Sequence, residues 1–122
     1  MAADSSKGGK LVERLFPFVA RARLLLVGRE TLARSKRNLQ CVLISEDISE
    51  GSRAEVLRDF ADYPVLQHFS SADFEKFFGV RNAKVIGLKK SSLAKSIYGE
   101  LKEFRLNKPP GTAKPGAAKQ SG

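Results

Sequence analysis

Four apolar runs, residues 24–27, 39–45, 65–69 and 83–88, punctuate this chain, and a stretch with helical signals separates each from the next. None is longer than seven residues. Runs that short, rich in Leu, Val and Ile, read as buried strands rather than helices. Strands that alternate with helices of about ten residues build a small sheet with helices packed on it. The pattern therefore predicts an α/β fold, a three-layer α/β/α sandwich with a small four-stranded mixed sheet and helices on both faces.

Local chemistry places the elements. Leu11, Leu15, Phe18, Val19 and Ala22 stand at helical spacing over residues 10–22, where Pro17 predicts a kink or a late start. A short helix is expected over 30–37. The sequence Ser52-Arg-Ala-Glu55 reads as a capping box opening a helix to about Asp62, with Ala54, Val56, Leu57, Phe60 and Ala61 on its apolar side. Ser70-Ser-Ala-Asp73 opens another helix, which carries Phe74, Phe77 and Phe78 and stops at Gly79. Ser91 or Ser92 caps a last helix bearing Leu93, Ile97, Leu101 and Phe104. A length of 122 residues allows one domain, expected over 10–105. Residues 1–9 and 106–122 read as disordered tails, the second a Pro/Gly/Ala/Lys segment too poor in apolar surface to order itself.

Several functions conflict with the composition. There is one cysteine and one histidine, which leaves no disulfide and no zinc cage. No apolar run approaches the ~20 residues that span a bilayer, and the N-terminus lacks the apolar core of a secretory signal. A cytoplasmic protein is expected, with no membrane partner. Glu46-Asp47 could suggest acid–base or metal chemistry at a strand end, but no second group is directed there. Asp47 or Ser49 capping the next helix is the preferred reading. His68 reads as a strand residue at the sheet margin and Cys41 as a small buried hydrophobe. No phosphate-loop or dinucleotide motif is present, so neither catalysis, nor a small-molecule substrate, nor a cofactor is expected.

The charge has direction. Lys and Arg number 22 against 13 acids, a net charge of +9, as expected of a nucleic-acid binder. Three groups collect at element ends: Arg29, Arg34, Lys36 and Arg37; Val80-Arg81-Asn82; and Lys89-Lys90-Ser91-Ser92. Where a strand delivers Gly28 to a helix start, and again at Lys89-Lys90, free backbone N–H groups are expected to face an anion. The aromatics do not interleave with these charges, which favours shape and backbone recognition of a structured RNA over a stacking platform.

Over residues 11–98 the chain resembles the kink-turn RNA-binding ribosomal protein superfamily, and within it the small bacterial YlxQ-type ribosomal-protein-like members. Phe18-Val-Ala-Arg-Ala-Arg-Leu-Leu-Leu-Val-Gly-Arg-Glu30 is similar to the family's first helix, short strand and Gly-x-Glu start of helix two. Val42-Leu-Ile-Ser-Glu-Asp-Ile-Ser49 is similar to its apolar strand and acidic turn. Phe78-Gly-Val-Arg-Asn-Ala-Lys-Val-Ile-Gly-Leu88, running into Ser92-Leu-Ala-Lys-Ser-Ile97, is similar to its last strand and helix. The resemblance implies a noncatalytic, ribosome-associated RNA binder, monomeric when free. Its contacts would come from Gly28, Arg29, Glu30 and Arg34, and from Val80, Arg81 and Asn82. Arg29 stands where the family has Asn, and Arg34 where it has Lys. An arginine cannot act as an amide acceptor. The resemblance also admits a protein-interaction or regulatory module of the same fold, or a substrate-binding accessory domain related to RNA ribose methyltransferases.

Overall fold

Serines open three of the helices. Ser49, Ser70 and Ser91 each lie in extended backbone and accept a backbone N–H from three residues on, from Ser52, Asp73 and Ala94, which satisfies a donor that the first helical turn leaves free. The computed structural model describes residues 2–107, with side chains from Val12 onward. Its helices are α1 (Ala2–Arg21), α2 (Arg29–Arg34), α3 (Glu50–Asp59), α4 (Ser71–Phe78) and α5 (Ser92–Leu101). Its strands are β1 (Leu25–Val27), β2 (Leu39–Ile44), β3 (Val65–Gln67) and β4 (Val85–Lys89), and 3-10 turns follow α2 and α5. The capping box at Ser70 and the left-handed stop at Gly79 match their sequence signals. The box expected at Ser52 does not form. Ser49, three residues earlier, takes the Ser52 N–H, and Glu55 is left to pair elsewhere.

The strands run in the order β1-β4-β2-β3. β4 is antiparallel to both β1 and β2, and β2 is parallel to β3, so the sheet is mixed. Along β2, Cys41 and Leu43 face one layer while Val42 and Ile44 face the other. A register irregularity between Leu39 and Cys41 puts those two residues on opposite faces, as a bulge does. On one face α1, α4 and α5 bury Phe16, Phe74 and Ile97 against the sheet. On the other, α2 and α3 bury Leu32, Val56 and Phe60. The α2 layer sits close because β4 offers no side chain there: a Cβ on Gly87 would lie 2.8 Å from Leu39 Cδ1 and 3.0 Å from Leu32 Cγ.

Helix α1 differs from expectation. It runs through Pro17 and buries Val12, Phe16 and Val19. Phe16 packs against Phe77 and Phe78 with ring centroids 5.0 and 4.7 Å away. Phe18 is 50% exposed instead, with the Arg21 guanidinium over its ring. The spacing 12, 16, 19 follows one helical stripe better than the set containing Phe18. Pro17 and Glu13 are both exposed, so water can serve the carbonyl that the proline leaves without a donor. The Leu11 side chain lies outside the described part.

At the sheet edge, β3 is covered by residues expected in the C-terminal tail. Leu106 N–H donates to Val65 O at 2.8 Å, and Asn107 Oδ1 accepts from Val65 N at 2.9 Å. Asn107 Nδ2 also donates to Tyr63 O at 3.0 Å, which removes an unpaired edge. The rest of that tail, residues 108–122, lies outside the described residues.

Candidate nucleic-acid interface

The β1–α2 junction is shaped by Gly28, whose φ of 93° is a backbone conformation that side-chain-bearing residues rarely adopt. It turns the chain directly from β1 into α2. The α4–β4 loop is held by Asn82 at φ 54°, a left-handed position that Asn tolerates better than most residues. These two segments, far apart in sequence, line one open cleft of about 320 Å³. Val27, Ile48, Ala83 and Val85 give it apolar lining, while Gly28, Arg29, Ser52, Arg81, Asn82 and Lys84 supply polar groups.

Each cation at this cleft has a carboxylate. Arg29 Nη1 donates to Glu55 Oε1 on α3, with the two side chains 39% and 46% exposed. Arg81 lies 3.6 Å from Glu75. Lys84 Nζ donates to Asp47 Oδ2 at 2.6 Å. Asp47 also accepts from the Ser71 hydroxyl at 2.6 Å and the Ser71 N–H at 2.8 Å. The Lys84 ammonium, and then the two Ser71 donors, hold the Asp47 carboxyl well below the usual carboxylate range. Of the two caps weighed for α3, Ser49 therefore fills the role. Asp47 orders its turn in another way, by tying the end of β2 to the start of α4 and to the residue preceding β4.

Three of the backbone donors expected to face an anion do not. Gly28 N–H does not face an anion: it donates to Val85 O at 2.9 Å, because the β1–β4 ladder continues one residue past the strand. Lys89 N–H donates to Leu24 O at 2.8 Å and Lys90 N–H to Asn38 O at 2.6 Å. Sheet closure uses these three donors, while the Arg29, Glu30 and Thr31 N–H groups that open α2 have no acceptor among the described residues.

The candidate residues also divide. Gly28, Arg29, Arg81 and Asn82 meet at the cleft, with Glu30 exposed beside them on α2. Arg34 is exposed at the other end of α2. Val80 packs partly into the core beside α4 and anchors its loop. Lys36, Arg37, Lys89 and Lys90 belong to the opposite end of the sheet, where Leu39 pairs with Lys89. There Lys36 is engaged, its Nζ donating to Asp59 O at 2.9 Å and lying 5.1 Å from the Phe60 ring. The course of β4 divides the basic groups between the two ends of the sheet, because Arg81 precedes that strand and Lys89 ends it.

Sequence reasoning missed Lys84, Ser52, Ile48 and Glu55. Lys84 had no mark distinguishing it from Lys89 or Lys90, and Glu55 was absorbed into a plausible capping box. His68 stacks on Phe104 with ring centroids 3.9 Å apart. Cys41 is fully buried, and desolvation pushes its thiol up to about 12. Among the described residues, no group of three or more His, Cys, Asp or Glu side chains could hold a metal ion. No described helix is long and apolar enough to cross a membrane.

No known protein family and no curated protein matches the sequence. Among solved structures, a protein of unknown function from Bacillus halodurans C is similar, with a TM-score of 0.67 and 22% sequence identity. The match covers 73% of this chain and 94% of that one. At that identity the likeness concerns the fold alone.

Proposed function

We propose that the chain is a noncatalytic, cytoplasmic RNA-binding module that recognises a structured, irregular RNA through the cleft between the β1–α2 junction and the α4–β4 loop. The observation that carries this reading is the meeting of Gly28 and Arg29 with Arg81 and Asn82 around that cleft, in a chain of net charge +9. Apolar lining beside guanidinium and amide groups suits an RNA whose bases are partly unstacked. A regular duplex shows mainly phosphates and hydroxyls. The likeness of these segments to the kink-turn binders supports the same surface and a place on or near the ribosome.

The test is binding to a kink-turn stem and to a plain duplex across a salt series. The wild-type protein is expected to prefer the kink-turn stem. Arg81→Ala is expected to weaken that complex by about 1–3 kcal/mol and the duplex complex much less. Equal binding of both RNAs, with a steep salt slope and no response to Arg29→Ala, Glu30→Ala or Arg81→Ala, leaves only electrostatic attraction and refutes the cleft. Absence of RNA affinity at moderate salt would favour a protein-interaction module of the same fold.

A further inference from the structure

We propose a second, separate nucleic-acid contact surface at the opposite end of the sheet, formed by Arg23, Arg37, Lys89 and Lys90 and directed to the sugar-phosphate backbone. It rests on the reading above for the identity of the partner, RNA, but not for the site. Backbone geometry brings these four residues together. The Lys89 N–H bond to Leu24 O sets Arg23 beside the end of β4, and the Lys90 N–H bond to Asn38 O sets Arg37 beside the same point. Arg23 is held there in a left-handed conformation at φ 58°, in the turn that α1 makes into β1.

The local sequence is free of opposing charge. Residues 20–24, 33–38 and 89–96 contain no Asp or Glu. None of the four cations has a carboxylate partner among the described residues, whereas Arg29, Arg81 and Lys84 at the cleft each have one. The acids at this end, Asp59 and Asp62, lie at and just past the end of α3, where Asp59 O accepts from Lys36, and the Asp59 carboxylate is occupied by Arg58 at 3.2 Å. Arg23, Arg37 and Lys90 are exposed and Lys89 half-buried.

Neighbouring strands lie ~4.8 Å apart, so the ends of β1, β4 and β2 together span roughly 10 Å. A nucleic-acid duplex carries about one charge per ~1.7 Å of axis, so several phosphates fall within that span. A membrane surface would call for apolar anchors among the cations. The three segments expose no large apolar side chain. Unpaired cations bind phosphate without reading sequence.

The experiment uses the full chain and two variants of equal net charge: Arg37→Gln/Lys89→Gln/Lys90→Gln, and Arg14→Gln/Lys76→Gln/Lys102→Gln on other exposed surfaces. Both are first checked for folding by circular dichroism and thermal melting. Binding to a plain RNA duplex is then titrated across a salt series. At ~0.9 per phosphate lost, the first variant is expected to lower the salt slope by about 2–3 and to weaken binding on the order of 100-fold at 0.1 M salt. The second is expected to stay near wild type. Equal behaviour of the two variants overturns the surface, since bulk charge then suffices. So does binding of the wild type to phosphatidylglycerol vesicles without binding to the duplex.

The preference for the kink-turn stem separates this inference from the cleft. That ratio is expected to respond to Arg81→Ala and not to the Lys89/Lys90 variant. If the ratio is one throughout but the slope still falls, the cleft fails and this surface stands. If the ratio is preserved but the slope does not fall, only this surface fails.

Discussion

The two ends of the sheet carry the same kind of charge under different constraints. At the cleft, Arg29, Arg81 and Lys84 are each met by a carboxylate, and Lys84 is drawn into a knot with Asp47 and Ser71. At the far end, Arg23, Arg37, Lys89 and Lys90 have no such partner among the described residues. A paired cation is positioned and partly neutralised, so it suits recognition of a particular shape. An unpaired cation keeps its full attraction for phosphate at the expense of direction. A count of basic residues cannot separate these roles; their partners can.

The largest expected effect tests whether the ends are independent. Helix α2 begins at the cleft and leads through Lys36 and Arg37 to the far end, and it rests on Gly87 of β4. Gly87→Val would force Leu32 and Leu39 outward, with an expected loss of about 1–3 kcal/mol in urea unfolding. RNA binding at both ends should weaken together. Loss at one end alone would show that α2 does not couple them.

Asp47→Asn addresses the knot. The Asp47 carboxyl titrates lower in the folded chain than in the unfolded one. As pH falls the unfolded state therefore binds that proton first. The stabilisation is complete above the ordinary carboxylate value of ~3.9 and is lost as pH falls from there towards the folded value. Thermal melting should show the variant below wild type at pH 7, with the gap narrowing below about pH 4. A gap independent of pH would mean that shape, not charge, holds the α4–β4 loop.

A smaller change would make a cleft cation resemble those of the far end. Glu55→Gln frees Arg29 from a half-exposed pair, the sort worth about 0.2–1 kcal/mol, so melting should shift little. Duplex affinity should rise and its salt slope steepen by about 1. A slope equal to wild type would show that Arg29 does not reach the RNA.

The architecture was legible because its signals are local and redundant. Apolar runs marked all four strands, and Ser70 with Asp73 and Gly79 marked both ends of α4. Where two readings shared the same letters, only packing chose between them. Ser49 and Ser52 could each have capped α3. The stripe through Val12, Phe16 and Val19 overlapped one through Leu15 and Phe18. The candidate site was legible only as two segments, Gly28 to Glu30 and Val80 to Asn82, and their meeting depends on β1 pairing with β4. The ion pairs of Arg29 with Glu55 and of Lys84 with Asp47 join positions with no periodic relation, so no local pattern announces them. The same pairing of β4 with β1 and β2 sent Lys89 and Lys90 away from Arg81.

The smallest expected effect falls on the unpaired end and tests the comparison most directly. With no carboxylate to lose, Lys89→Gln/Lys90→Gln removes only mutual repulsion with Arg23 and Arg37. Stability should therefore stay within about 0.5 kcal/mol of wild type, with any shift upward and largest at low salt, where screening is weakest. Duplex RNA affinity should fall in the same samples. Binding and stability then move separately, as they cannot for Lys84, whose removal also releases Asp47. A melting loss as large as that of Asp47→Asn would mean that these lysines hold structural partners and that the two ends are alike after all.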